Sequence, residues 1–261
     1  MRKAPFAGTT KIMDDLSLLR LQIEWGADEA LEEAPVDRLR SLAPAEAPRA
    51  ALVRPVSPRQ ATPVGTPGER ALAAAAKADS PEALKAAIAA FEGDPLRDMA
   101  THLVFAVGDP HKGVLLIGGA PGADDDRSGL PFSGPEGALL DHMLASVGLK
   151  RDEMLLTPLI PWRPPGGRVP NPAELQLYRP FLVRLIALTA PERIVFFGAL
   201  AAGTMLGAAQ RSRTIAWVDG KIDGHVAKLL VLPALADILK TALRRKDAWA
   251  GMRALRRALD A

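Results

Sequence analysis

Apolar positions along this chain recur with two different periods, and the change from one to the other divides it. Over residues 12–33, Leu16, Leu19, Ile23 and Trp25 fall near one face of a predicted amphipathic helix that breaks at Gly26. Residues 43–69 carry prolines at 44, 48, 55, 58, 63 and 67 among alanines and arginines. Such a composition has little to bury and predicts a linker. Helical spacing resumes over 69–78 and again over 81–91, where Ser80 ahead of Pro81 predicts an N-cap. From Lys112 onward, apolar runs at 114–117, 154–159, 193–197 and 229–232 predict buried strands, with helical spacing between them, as over 138–147. Strands alternating with helices predict a parallel sheet covered on both faces. The expected fold class is α/β: a three-layer α/β/α sandwich with a short, mostly parallel central sheet and an N-terminal helical extension. The expected boundaries are a helical segment at 1–42, a Pro/Ala-rich linker at 43–69 and the α/β domain at 70–261.

Composition narrows the function classes only modestly. A chain of 261 residues, 48% of them hydrophobic, can build one ordinary α/β domain with its core. A net charge of +3 and a pI near 9.3 are compatible with a polyanionic partner. No apolar run reaches the roughly 18 residues of a membrane span, so no membrane partner is expected. Met1-Arg-Lys-Ala-Pro lacks the apolar core of a secretory signal, and the expected compartment is the cytoplasm. The chain has no cysteine, which excludes disulfides, thiolate catalysis and a Cys-ligated iron–sulfur cluster.

Candidate chemistry concentrates in one loop, Gly118-Gly-Ala-Pro-Gly-Ala-Asp-Asp-Asp-Arg-Ser-Gly-Leu-Pro-Phe-Ser-Gly134, directly after the strand expected at 114–117. A Gly- and Pro-rich turn at the carboxyl end of a strand is where an open α/β sheet places its ligand. Small residues there let the backbone approach a phosphate or a base edge. Gly129 to Gly134 has the glycine spacing of a phosphate loop but not the Lys-Ser/Thr that would follow it, so nucleotide hydrolysis is not supported. The four histidines show no metal-ligand spacing, and only His225 lies near the last predicted strand.

The loop resembles the first motif of the family 4 uracil-DNA glycosylases, written GEAPG…D…G.PF.G, and further segments match in order. Trp162-Arg-Pro-Pro-Gly-Gly-Arg168 is similar to the family's RPPGNR segment, Arg179-Pro-Phe-Leu182 to its RPFL helix, and 191–207 to a strand and helix that follow. Upstream, Phe91 to Leu96 and Val104 to Pro110 resemble the family's entry segment, and Lys246-Asp-Ala-Trp249 its final helix. The resemblance runs from about residue 85 to 261. It implies a bacterial family 4-like member of the uracil-DNA glycosylase superfamily, DNA as partner, and a role in base excision repair. Such an enzyme flips a base into a pocket, stacks it on an aromatic ring and reads its edge by hydrogen bonds.

Several functional positions of the family are substituted here. The glutamate associated with the attacking water falls on Gly119, the uracil-reading asparagine on Pro158 and the second-motif histidine on Leu232, while the stacking aromatic is kept as Phe132. The pocket implied by the resemblance comprises Gly118, Gly119, Ala120, Pro121, Gly122, Phe132, Pro158 and Leu232. Its DNA-facing residues would be Arg163, Pro164, Pro165, Arg168, Pro233 and, as a wedge, Leu235. The four cysteines that hold the family's cluster fall on Phe91, Asp94, Trp162 and Tyr178, so no cofactor is expected; the aromatics can fill the space and Asp94 can cap the turn before Pro95. Three polar roles empty together imply a pseudoenzyme that keeps DNA or base-edge binding. A second reading keeps a weak or altered glycosylase, with Asp125 or Asp126 orienting water. A third is an interaction module, with the helix in 12–33 docking on a repair or replication protein.

Overall fold

The computed structural model describes residues 65–207 and 216–260. The amphipathic segment at 12–33 and the linker as far as 64 lie outside the described residues. Helix α1 (Pro67–Lys77) is entered through a capping box in which Thr66 and Glu69 bond each other's backbone, so helix begins within the last residues assigned to the linker. Helix α2 (Pro81–Ala90) starts as expected, with the Ser80 hydroxyl accepting from Ala83 N at 3.1 Å.

A six-stranded sheet follows, with β1 (Val107–Gly108), β2 (Val114–Ile117), β3 (Leu155–Thr157), β4 (Arg193–Phe197), β5 (Val218–Ile222) and β6 (His225–Leu232). The spatial order is β1-β3-β2-β4-β6-β5. The inner pairs are parallel, while β1 on β3 and β5 on β6 run antiparallel at the two edges. The connecting helices are α3 (Ala123–Ser128), α4 (Gly134–Ser146), α5 (Pro172–Thr189), α6 (Ala199–Leu206), α7 (Leu235–Lys240) and α8 (Ala242–Leu259).

The inner strands are apolar along their whole length because both faces are covered. Successive side chains alternate between two cores. Leu115, Ile117, Ile194, Phe196, Leu229 and Val231 join the side of α1, α2, α5 and α6. Val114, Leu116, Val195, Phe197, Leu230 and Leu232 join the side of α4, α7 and α8. This is the three-layer α/β/α sandwich expected from the sequence. The sheet is wider than expected by its two antiparallel edges. The sequence of β5, with Asp219, Gly220 and Lys221 on an exposed edge, carries no apolar run to signal it.

Candidate functional site

The carboxyl ends of β2 and β3 open into a pocket of about 380 Å³, lined by the loop 118–125, by 131–136 at the start of α4, by Pro158 and by Ala236, Leu239 and Lys240 of α7. Two backbone bonds tie its floor together, Gly118 N to Thr157 O and Leu159 N to Gly119 O, both 2.9 Å. Of the expected pocket residues, Gly118, Gly119, Ala120, Gly122, Phe132 and Pro158 line it. Pro121 is buried beside it and is not part of the lining.

Leu232 is not in the lining either. It lies in the core beneath α4, α7 and α8, where it is 2% exposed and packs on Gly251; a Cβ at 251 would stand 2.0 Å from Leu232 Cδ2. Leu235 is likewise 2% exposed, in the same core, and cannot serve as a wedge. Leu239, one turn on, is exposed at the mouth. His225 stands at the amino end of β6, away from the pocket, against Pro191 O at 2.8 Å.

Phe132 is fixed with unusual care. Its backbone has φ 55°, a left-handed conformation that is rare for a bulky residue and concentrates at functional sites. Arg151 holds the Phe132 carbonyl through Nη2 at 2.9 Å, while its Nε binds Asp141 at 2.8 Å. Gly137 makes room for that carbonyl, since a Cβ there would lie 1.8 Å from the oxygen. The ring meets Phe197 edge-on at 6.1 Å and lies so close to Gly118 that a Cβ there would be 2.8 Å from Cζ. Gly119 is the opposite case: a Cβ there would meet nothing within 4 Å, and its backbone is not left-handed.

The acidic run diverges into three separate tasks. Asp124 stands at the edge of the lining and pairs with exposed Arg127 at 2.7 Å. Asp125 lines the pocket and joins its two lips, accepting from Gly122 N at 2.9 Å and Ser133 N at 2.6 Å. Asp126 is buried away from the lining and anchors another loop, accepting from Thr101 N and Oγ1 and from His102 N. Burial pushes the Asp126 carboxyl up, but the bonds from His102 and Thr101 outweigh it and hold the group below the usual range. Of the two carboxylates considered as water positioners, only Asp125 lines the pocket.

Glu136 and Lys240 are pocket residues that sequence reading passed over. Glu136 is in the first turn of α4, just beyond the recognised motif. Burial pushes its carboxyl above the usual range, the neighbouring charge of Asp125 adds to this, and Lys240 opposes it. Lys240 follows from α7, where 236, 239 and 240 share one face at helical spacing. Arg245 of α8 caps the end of that helix through the Ile238 and Leu239 carbonyls, at 3.2 and 3.1 Å.

The turn expected to face DNA is tied into the fold by its arginines. Arg168 forks onto Glu174 with bonds of 2.9 and 2.5 Å and ties the turn to the first turn of α5. That hydrogen bond from Arg168 holds the Glu174 carboxyl low despite its burial. Arg163 is half-buried near Asp126, Pro164 is buried, and Pro165 and Pro233 are partly exposed.

The positions matching the cluster ligands are all interior. Phe91, Trp162 and Tyr178 belong to the core, with Phe91 edge-on to Phe181 at 5.7 Å. Asp94 caps its turn by accepting from Leu96 N at 3.0 Å, and its Oδ2 and the Tyr178 hydroxyl find no partner among the described residues. With aromatic rings at three positions and no thiol in the chain, these residues do not fit an iron–sulfur cluster. Burial pushes the Asp94 carboxyl up. A raised carboxyl contributes stability below its unfolded value, near pH ~4, and loses it as pH rises through the folded value. Asp94→Asn, which keeps the acceptor for Leu96, is therefore expected to raise the melting temperature at pH 7 and to lose that gain toward pH ~4. Thermal melts across pH check this; a lower melting temperature at pH 7 would contradict it.

The fold and this pocket define an α/β protein with a ligand site at the carboxyl ends of its parallel strands, and comparison with known proteins gives its family. A family model for the uracil DNA glycosylase superfamily matches residues 105–254, and the chain belongs to that superfamily. Among curated relatives named type-4 uracil-DNA glycosylase, that of Pyrobaculum aerophilum is 32% identical over 139 residues, covering 52% of this chain and 71% of the relative. That of Archaeoglobus fulgidus is 37% identical over 128 residues, covering 49% and 64%. That of Thermotoga maritima is 30% identical over 133 residues, covering 49% and 69%. The matched range contains the pocket and leaves out Phe91 and Asp94.

Among the described residues, no helix is long and apolar enough to cross a membrane.

Proposed function

We propose that this protein binds DNA and engages a flipped base in the 118–136 pocket, with uracil excision lost or nearly lost. The observation that carries the reading is the contrast between Phe132, braced from four sides, and Gly119, where open space stands in place of a carboxylate. Pro158 offers neither a side-chain amide nor a backbone N–H to read uracil, and Leu232 has no group to stabilise a developing oxyanion. Losing one such donor costs about 10²–10³ in rate, so losing several together leaves little. The protein works without a Cys-ligated cluster, in the cytoplasm of a bacterial cell. The segment at 12–33 is a candidate contact for a repair or replication partner.

The test is incubation with uracil-containing single- and double-stranded oligonucleotides, followed by alkali to reveal abasic sites. No product above background is expected, while Phe132→Ala lowers DNA affinity by about tenfold, the worth of one stacked base. Abasic product that vanishes with Phe132→Ala would overturn the loss of excision. It would favour the second reading, which the position of Asp125 in the lining supports, and Asp125→Asn would then abolish it.

A further inference from the structure

The charge and size of the pocket carry the base-binding reading one step further, to the kind of base. Three carboxylates, Asp124, Asp125 and Glu136, line the cavity against one ammonium, Lys240, and of the three Asp124 alone has an ion-pair partner, the exposed Arg127. Glu136 has no hydrogen-bond or ion-pair partner among the described residues; the residue is exposed at the rim, and the pocket walls desolvate its carboxyl only in part. Uracil presents two carbonyl oxygens to its surroundings and takes on negative charge as it leaves. Carboxylates oppose both. Nor is a side-chain amide present to read those oxygens, since Pro158 occupies that wall. A cationic ring reverses every one of these signs. It would answer the unpaired Glu136, ease the repulsion between Glu136 and Asp125, and be attracted by the π-electrons of Phe132. Space points the same way. The opening beside Gly119 and a solvent-open volume of about 380 Å³ leave room for a bicyclic base.

We propose that the pocket selects a flipped purine bearing a fixed positive charge, an N-alkylated base, over uracil and over the unmodified purine. This inference rests on the base-pocket reading above. The test uses fluorescently labelled duplexes containing one 7-methylguanine, stabilised against depurination by 2′-fluorination, beside matched duplexes with guanine or uracil. Binding is followed by anisotropy at one fixed salt concentration, because phosphate contacts make all affinities salt-dependent.

The 7-methylguanine duplex is expected to bind about tenfold more tightly than the guanine duplex, the scale of one desolvated cation–π contact with a facing carboxylate. Glu136→Gln is expected to cut that ratio to about threefold or less, and Lys240→Ala to raise it. Both substitutions are at exposed positions, and thermal melts confirm that each variant is folded. Equal affinity for the three duplexes, all weakened by Phe132→Ala, would overturn the charge selectivity and leave the base pocket standing. Equal affinity untouched by Phe132→Ala would overturn the base pocket itself, and this inference with it.

Discussion

A Gly119→Glu, Pro158→Asn double variant is expected to release uracil from single-stranded DNA about 10²-fold or more faster than the parent chain, because two missing polar groups return together. The glutamate enters without strain. A Cβ at 119 meets no atom within 4 Å, and the backbone there suits any residue. Asparagine at 158 returns both an amide and a backbone N–H at the wall where Leu159 N already binds Gly119 O. Activity stays below that of a complete site, since Leu232 is committed to the core on Gly251 and a histidine there would bury a polar ring. The new carboxylate also joins Asp125 and Glu136, and their mutual repulsion favours the protonated forms, so the variant should gain rate as pH rises. Alkali-revealed abasic product, measured against time, checks the gain. Background release from a folded double variant would count against Gly119 and Pro158 as the positions where the missing groups belong.

Gly137→Ala is expected to destabilise the protein by about 1–3 kcal/mol, although alanine in place of a helical glycine ordinarily gains close to 1 kcal/mol. The added Cβ would stand 1.8 Å from the Phe132 carbonyl oxygen and 3.2 Å from Arg151 Nη2. Both neighbours are constrained. The carbonyl belongs to a left-handed residue, and the guanidinium is already shared between Asp141 and Phe132. Backbone must therefore move, and the Phe132 ring with it, so DNA affinity should fall alongside stability. Denaturant unfolding gives the first quantity and anisotropy the second. A variant as stable as the parent would show that the loop has slack. Gly119→Ala is the matched control and should leave stability nearly unchanged.

Much of the fold was legible from short runs of apolar residues. The strands at 114–117 and 193–197 coincide with β2 and β4, because strands covered on both faces must be apolar at every position. Ser80 ahead of Pro81 signalled the start of α2 through the chemistry of one hydroxyl. The edge strands were not legible. An edge strand such as β5 needs pairing on one side only and can carry Asp219 and Lys221 into water, so no pattern marks it.

For the site, sequence by itself determined the chemical inventory: no cysteine, no side chain at 119, no N–H at 158, an aromatic at 132. These are covalent facts, and no folding changes them. Tertiary structure alone decided direction. Three adjacent aspartates, identical in chemistry, point to a surface arginine, a pocket lip and a distant loop, because a single helical turn of α3 separates their side chains by about 100° per residue. Packing on Gly251 of α8 holds Leu232 in the core rather than the pocket, and α7 brought Lys240 to face Glu136 across more than a hundred residues of chain. Which side chains meet depends on how the layers pack, and that information is spread over the whole core rather than written beside the motif.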